Sequence, residues 1–252
     1  TNRDDSVTGT GIDEWFRGLG GADTIDGGGG TDTVDYQGSA SISIGLDGAA
    51  GSGGEAAGDR LYNIEILSGS NFDDTLCGNS SANQLFGNDG ADTFRGDAGG
   101  DTLNGGNGVD TVDYTLSASA VTVNLLTGSG SGGDAAGDSY VSIENIIGSG
   151  GDDFLYGDAG NNTITANAGN DFIRGGDGAD TINGGAGTDT VDYSDSTSAV
   201  TIYLDGSTSS GGFAQGDVLL AVEGVVGSDY DDIINGGGSG ETLSGGAGND
   251  TI

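Results

Sequence analysis

The chain of 252 residues contains no lysine, histidine, methionine or proline, and its only cations are Arg3, Arg17, Arg60, Arg95 and Arg174. Without histidine there is no imidazole general base, no Ser-His-Asp or Cys-His pair and no histidine-ligated zinc. Without lysine there is no Schiff-base nucleophile and no phosphate-binding P-loop. Nucleic acid is excluded as a partner because phosphate binding needs clustered cations, and an anionic membrane surface would repel the chain. Cys77 stands alone, so neither an intrachain disulfide nor a cysteine metal cluster can form. No segment reaches the roughly 18 apolar residues of a membrane span, so no membrane insertion is expected. Thr1 begins no signal peptide, there is no initiator methionine, and the sequence stops at Ile252 inside a motif; the chain reads as a fragment of a longer protein.

What is present is glycine and negative charge. Gly supplies 56 residues, and 40 acids against five cations give a formal net charge of -35. Such a composition lies near the border of disorder, where apolar burial is too small to offset ordering entropy against self-repulsion. The chain needs counter-ions or stays unfolded.

Two nested periods organise it. The short one is nine residues, G-G-x-G-x-D-x-U-x with U a large apolar residue; Gly27 to Asp35 is a clean copy, as are the stretches from Gly87, Gly105, Gly175 and Gly184, and sixteen copies can be counted, several degenerate. The long period is about 79 residues, the spacing of Asp74, Asp153 and Asp232. It divides the chain into an N-terminal cap (1–16, with Trp15 at U), repeat blocks 18–35, 69–113, 148–192 and 227–252, and inserts 36–68, 114–147 and 193–226. Each insert opens on alternating apolar residues (Ile42, Ile44, Leu46; Val121, Val123, Leu125; Val200, Ile202, Leu204), which predicts a half-buried strand. A Gly/Ser/Ala-rich surface loop such as Gly51 to Gly54 follows, then a Gly-Asp pair and a second apolar run.

In each nonapeptide the first six residues make a turn and x-U-x a short strand with U pointing inward. Two such units close a coil of eighteen residues, and only stacked coils bury the apolar column that runs from Ile25 and Val34 to Ile234 and Leu243. That column is too thin to offset the backbone entropy, which glycine makes worse. The turn supplies the remedy. Glycines permit left-handed angles that aim carbonyls inward, and the sixth residue adds a carboxylate eighteen residues from its equivalent, as in Asp92 and Asp110. Carboxylates and carbonyls together form an all-oxygen cage that suits Ca2+ better than Mg2+.

These nonapeptides resemble the RTX, or hemolysin-type calcium-binding, repeats of bacterial type I secreted proteins. The resemblance implies an all-β fold, a right-handed parallel β-roll or β-solenoid forming one elongated unit, with Ca2+ bound in the turns between coils. It further implies export as an unfolded chain and folding outside the cell. The expected ligands are Asp23, Asp32, Asp74, Asp92, Asp101, Asp110, Asp153, Asp171, Asp180, Asp189, Asp232 and Asp250, with the backbone carbonyls of Gly28, Gly30, Gly106, Gly108, Gly176, Gly178, Gly185 and Gly187. Asn83, Asn162 and Glu241 replace Asp in the second copy of their blocks and predict weaker sites; Asp59, Asp138, Asp217, Glu65, Glu144 and Glu223 are junction acids that either ligate or cap a turn. The ninth-position acids Asp35, Asp113 and Asp192 read as outward surface charge, and Cys77 as an outward thiol.

The functional expectation is a non-catalytic, calcium-folded structural module of a secreted or cell-surface bacterial protein: an adhesin stalk, surface-layer piece or matrix fibre that self-associates. The alternative is the carrier module of a secreted protease, lipase or polysaccharide epimerase whose catalytic domain lies outside the chain. Two further readings are weaker. The seventh-position threonines could bind ice, but Asp, Asn and Arg at the ninth position break a flat face. Extracellular polysaccharide could bind the outer face, where Tyr36, Tyr114 and Tyr193 recur without forming a stripe. No acid pair is singled out as a glycosidase would require.

Overall fold

A computed structural model describes residues 3–238 and 240–252; the first two residues of the expected cap and Ser239 lie outside it. Two compact units form: one runs to Asp113 and takes in Asp134–Ile143, and the other comprises Tyr114–Gly133 and Glu144–Ile252.

Each unit is a stack of coils whose strands are mostly three residues long, because each nonapeptide offers one inward apolar residue between two outward ones. Among the described residues the chain is all-β apart from three single turns of 3-10 helix at Gly54–Ala56, Gly133–Ala135 and Gly212–Ala214. In the first unit Thr75–Cys77 pairs in parallel with Thr93–Arg95, which pairs in parallel with Thr111–Asp113, each strand eighteen residues after the last. On the opposite face Gln84–Asp89 pairs in the same sense with Thr102–Asn107. The second unit repeats this with Phe154–Tyr156, Phe172–Arg174 and Thr190–Asp192 on one face and Asn145–Ile147, Thr163–Thr165 and Thr181–Asn183 on the other. This is the parallel β-roll that the nine-residue period predicts.

The inserts extend the ladders. Ile42, Ile44 and Leu46 are buried around the strand Ser43–Gly45, which pairs in parallel with Thr75–Cys77. Arg60–Tyr62 and Ile66–Ser68 then stack on Thr24–Asp26 and Thr33–Asp35, and Val218–Leu220 and Gly224–Val226 do the same in the second unit. The Gly/Ser-rich stretches, expected as surface loops, fold back onto the first insert strand. Ser129–Ser131 pairs antiparallel with Thr122–Asn124, and Ser52 and Ser210 make equivalent single bridges.

Apolar column positions from Ile25 to Ile234 are at most 2% exposed, while Leu243, in the last full strand, is half-buried. One assignment needs correction. Phe16, not Trp15, stands in the column: Phe16 pairs with Val34 and Trp15 with Thr33, leaving Trp15 71% exposed. The first copy therefore begins at Gly9, one residue later than its composition suggests. Among the described residues no helix is long and apolar enough to cross a membrane.

Candidate metal centres

The sixth-position side chain bridges neighbouring coils. Its Oδ1 accepts the backbone N–H of the sixth residue one coil earlier: Asp92 from Asp74 at 2.8 Å, Asp110 from Asp92 at 2.8 Å, Asp171 from Asp153 at 2.8 Å and Asp189 from Asp171 at 2.9 Å. On the other edge Asp101 accepts from Asn83 at 2.8 Å and Asp180 from Asn162 at 2.9 Å. Near the start Asp23 and Asp32 accept from Asp5 and Glu14, and near the end Asp250 accepts from Asp232. The carboxylates are thus fixed along both edges of each stack.

The second oxygen is the informative one. Oδ2 of Asp23, Asp32, Asp92, Asp101, Asp171, Asp180 and Asp189 is buried with no hydrogen-bond donor, in residues no more than 1% exposed. Except at Asp171, whose turn opens on Ala166, Oδ2 packs against the glycine that opens its own turn, so a methyl group at Gly87, Gly96 or Gly175 would collide with it. Burial pushes the carboxyls of Asp92, Asp101, Asp171 and Asp180 up to about 7, with neighbouring acids adding to the shift, and raises that of Asp189. A buried ionised oxygen without a donor is costly unless a cation meets it.

Backbone carbonyls complete the surroundings. In successive turns of one edge the second- and fourth-position carbonyls face the glycines of the next turn: Asn88 and Gly90 face Gly106 and Gly108, Asp158 and Gly160 face Gly176 and Gly178, Asn167 and Gly169 face Gly185 and Gly187. Gly108 and Gly187, at φ 156° and 149°, leave no room for a side chain between the turns. The expectation named glycines of these positions as carbonyl ligands; it missed Asn88, Gly90, Asp158, Gly160, Asn167 and Gly169, whose carbonyls project from the preceding coil. Among the described residues no three carboxylate or thiol side chains converge on one point. Oxygen cages in these turns would draw mainly on carbonyls, as a hard cation such as Ca2+ permits.

The remaining expected residues fall into distinct groups. Asp74, Asp153 and Asp232 have donors on both oxygens. Oδ2 accepts the N–H of Ser70 (2.5 Å), Ser149 (2.6 Å) or Ser228 (2.6 Å), and Oδ1 accepts the same serine's hydroxyl together with the N–H of Ile42, Val121 or Val200. Asp59 and Asp217 are likewise satisfied: Oδ1 accepts from Asp23 or Asp180, and Oδ2 accepts the hydroxyl of Tyr36 or Tyr193 at 2.8 Å. Asp138 accepts the Asp101 N–H at 2.9 Å. Glu65 and Glu223 use Oε2 to accept the N–H of Asp32 and Asp189, and the Glu144 carbonyl accepts from the Asn162 side chain. Asn83 and Asn162 close their own turns by accepting the N–H of Asn79 and Asp158; Glu241 does so from Gly237 and Gly238.

Two surface expectations are overturned. Asp35, Asp113 and Asp192 are buried and paired with Arg17, Arg95 and Arg174, each eighteen residues earlier. The alternation rule placed these acids outward correctly, but the arginine of the adjacent strand covers them. Tyr36, Tyr114 and Tyr193 are at most 2% exposed and so present no outer face. Among the described residues aromatic rings gather at Phe154, Tyr156 and Phe172, with Arg174 over the Phe172 ring. Cys77 is half-buried, and burial pushes its thiol up. Sequence reasoning also missed Glu14, the sixth residue of the first copy, which accepts the Thr10 N–H and donates its own N–H to Asp32. Counting back nine residues from Asp23 would have found it.

A family model described as the RTX calcium-binding nonapeptide repeat (4 copies) matches residues 8–38, 63–93, 78–112, 142–173, 156–191 and 225–252. No curated protein matches the chain.

Proposed function

Because the chain belongs to the family of RTX calcium-binding nonapeptide repeats, we propose that it is a calcium-folded structural module of a secreted or cell-surface protein, with the ions held in its turns. The observation that carries this reading is the row of buried aspartate Oδ2 atoms without donors. Carboxylates placed so are a liability to the fold at neutral pH and become an asset once a divalent cation joins them. The best-placed ligands are Asp23, Asp32, Asp92, Asp101, Asp171, Asp180 and Asp189, with second- and fourth-position carbonyls of the facing turns. When bound, Ca2+ would supply positive charge and bridge successive coils. The chain's own residues fix the carboxylates through Oδ1, keep side chains out of the gap with glycine, and exclude water by stacking.

The reading extends to location. With a net charge of -35 and few apolar residues the unliganded chain repels itself, a state suited to export. Modules that fold outside cells bind calcium at about 10⁻⁴–10⁻³ M. A calcium titration followed by intrinsic fluorescence of Trp15 and the tyrosines tests this: a folding midpoint in that range supports an extracellular module. Folding complete below about 1 μM, where cytosolic sensors and buffers operate, would contradict it.

A further inference from the structure

The blocks 69–113, 148–192 and 227–252, taken in that order as the first, second and third of the long period, have near-copies for opening turns (69–74, 148–153 and 227–232), each with a serine latching its aspartate. They differ in what the next turn on the same edge presents to them. In the first two blocks the second residue of that turn is asparagine in a left-handed conformation, Asn88 at φ 79° and Asn167 at φ 77°. Asparagine tolerates this region better than most residues, yet glycine is the repeat's usual choice there. The Asn88 amide Nδ2 donates to the Gly69 carbonyl at 2.9 Å, the Ser70 carbonyl at 3.2 Å and the Ser68 hydroxyl at 3.2 Å. The Asn167 Nδ2 donates to the Gly148 carbonyl at 2.8 Å. In the third block the position is Gly246, at φ 90°, whose missing side chain would point at the Ser228 and Gly227 carbonyls.

We propose that Asn88 and Asn167 are built-in substitutes for a cation: their amide hydrogens hold the opening-turn carbonyls that calcium would otherwise bridge, and the third block, with Gly246, keeps a cation site in the same place. The donor chemistry supports the exchange. An amide NH2 offers two N–H donors and no net charge, enough to satisfy converging carbonyls but not to neutralise a free carboxylate. In the opening turns themselves no carboxylate needs neutralising, because Asp74 and Asp153 already have both oxygens satisfied by Ser70, Ser149 and backbone N–H groups, and the unpaired Oδ2 atoms of Asp92 and Asp171 belong to the turns that follow. Serine latch and asparagine plug together let the first turn of a block close without metal. In the third block the Ser228 latch remains, while the Gly227, Ser228 and Tyr230 carbonyls face glycines 246 and 248 and Asp250 stands on the same edge.

This inference rests on the calcium reading, and counting ions separates the two. The full chain is dialysed against excess Ca2+, and bound calcium is measured by atomic absorption, with circular dichroism confirming that each variant is folded. Asn88→Gly and Asn167→Gly are each expected to bind one ion more than the unaltered chain. Gly246→Asn, a residue accepted at the same φ in the other blocks, is expected to bind one fewer. Unchanged counts in Gly246→Asn and in the folded glycine variants would overturn the proposal while leaving calcium folding intact. An unaltered chain that binds no calcium would overturn the calcium reading itself. Should a glycine variant fail to fold, Gly246→Asn still decides.

Discussion

Asp180 and Asp192 are both buried acids of the repeat block 148–192, twelve residues apart, and their environments assign them different work. Asp180 has an Oδ2 with no donor; Asp192 is paired with Arg174. Asp180→Asn keeps the oxygen that accepts the Asn162 N–H and removes the charge. It is expected to weaken calcium binding at one site at least about tenfold, which corresponds to about 1.4 kcal/mol. Asp192→Asn should leave the ion count unchanged and cost about 1–2 kcal/mol of stability in calcium, a figure held down because Arg174 is a third exposed and screened by solvent. Isothermal titration and thermal melts of the two variants distinguish the roles; equal loss of bound calcium would contradict them. Tyr193→Phe strips the donor from Asp217 Oδ2 and should cost about 1–3 kcal/mol without altering calcium stoichiometry. A melt unchanged in Tyr193→Phe would mean the hydroxyl does not hold that junction. The sixth-position carboxylates were legible in the sequence because period and residue type coincide. The ninth-position ion pairs were not read, although Arg17 with Asp35, Arg95 with Asp113 and Arg174 with Asp192 share the eighteen-residue spacing. Alternation gives the side a residue points to, not what lies over it.

At the scale of the turn and strand, close approach of successive coils governs what is tolerated. A methyl group on Gly187 would collide with the Gly169 carbonyl at a φ that L-residues rarely adopt, whereas one on Gly150 meets nothing within 4 Å. Gly187→Ala is therefore expected to destabilise the calcium-loaded fold by about 1–3 kcal/mol, and Gly150→Ala by less than about 0.5 kcal/mol. Thermal unfolding checks both, and comparable losses would show that the turns are not stacked this tightly. The strands of the inserts were legible from the alternation at Ile42, Ile44 and Leu46 and its two repeats. The antiparallel return of Ser129–Ser131 onto Thr122–Asn124 was not, since a run of glycine and serine carries no apolar period to mark a strand. What creates it is the neighbouring strand's unpaired edge, which the sequence does not display.

At the scale of the whole molecule, the fold was legible because one short unit recurs in phase and none can bury its apolar residue alone. The division into two compact units was not, since the repeats themselves run through Asp113 and resume at Gly148 without a change of character. The large negative charge that first suggests disorder is placed by the fold along stacked turns, where, on the calcium reading proposed above, it sets the condition for order. The most direct test is far-UV circular dichroism of the full chain in chelator, then through a titration with Ca2+, with Mg2+ as the control cation. The account predicts a coil spectrum in chelator, conversion to β-structure as calcium is added, reversal by excess chelator, and little response to magnesium. A full β spectrum and an unchanged melting temperature in chelator would contradict it.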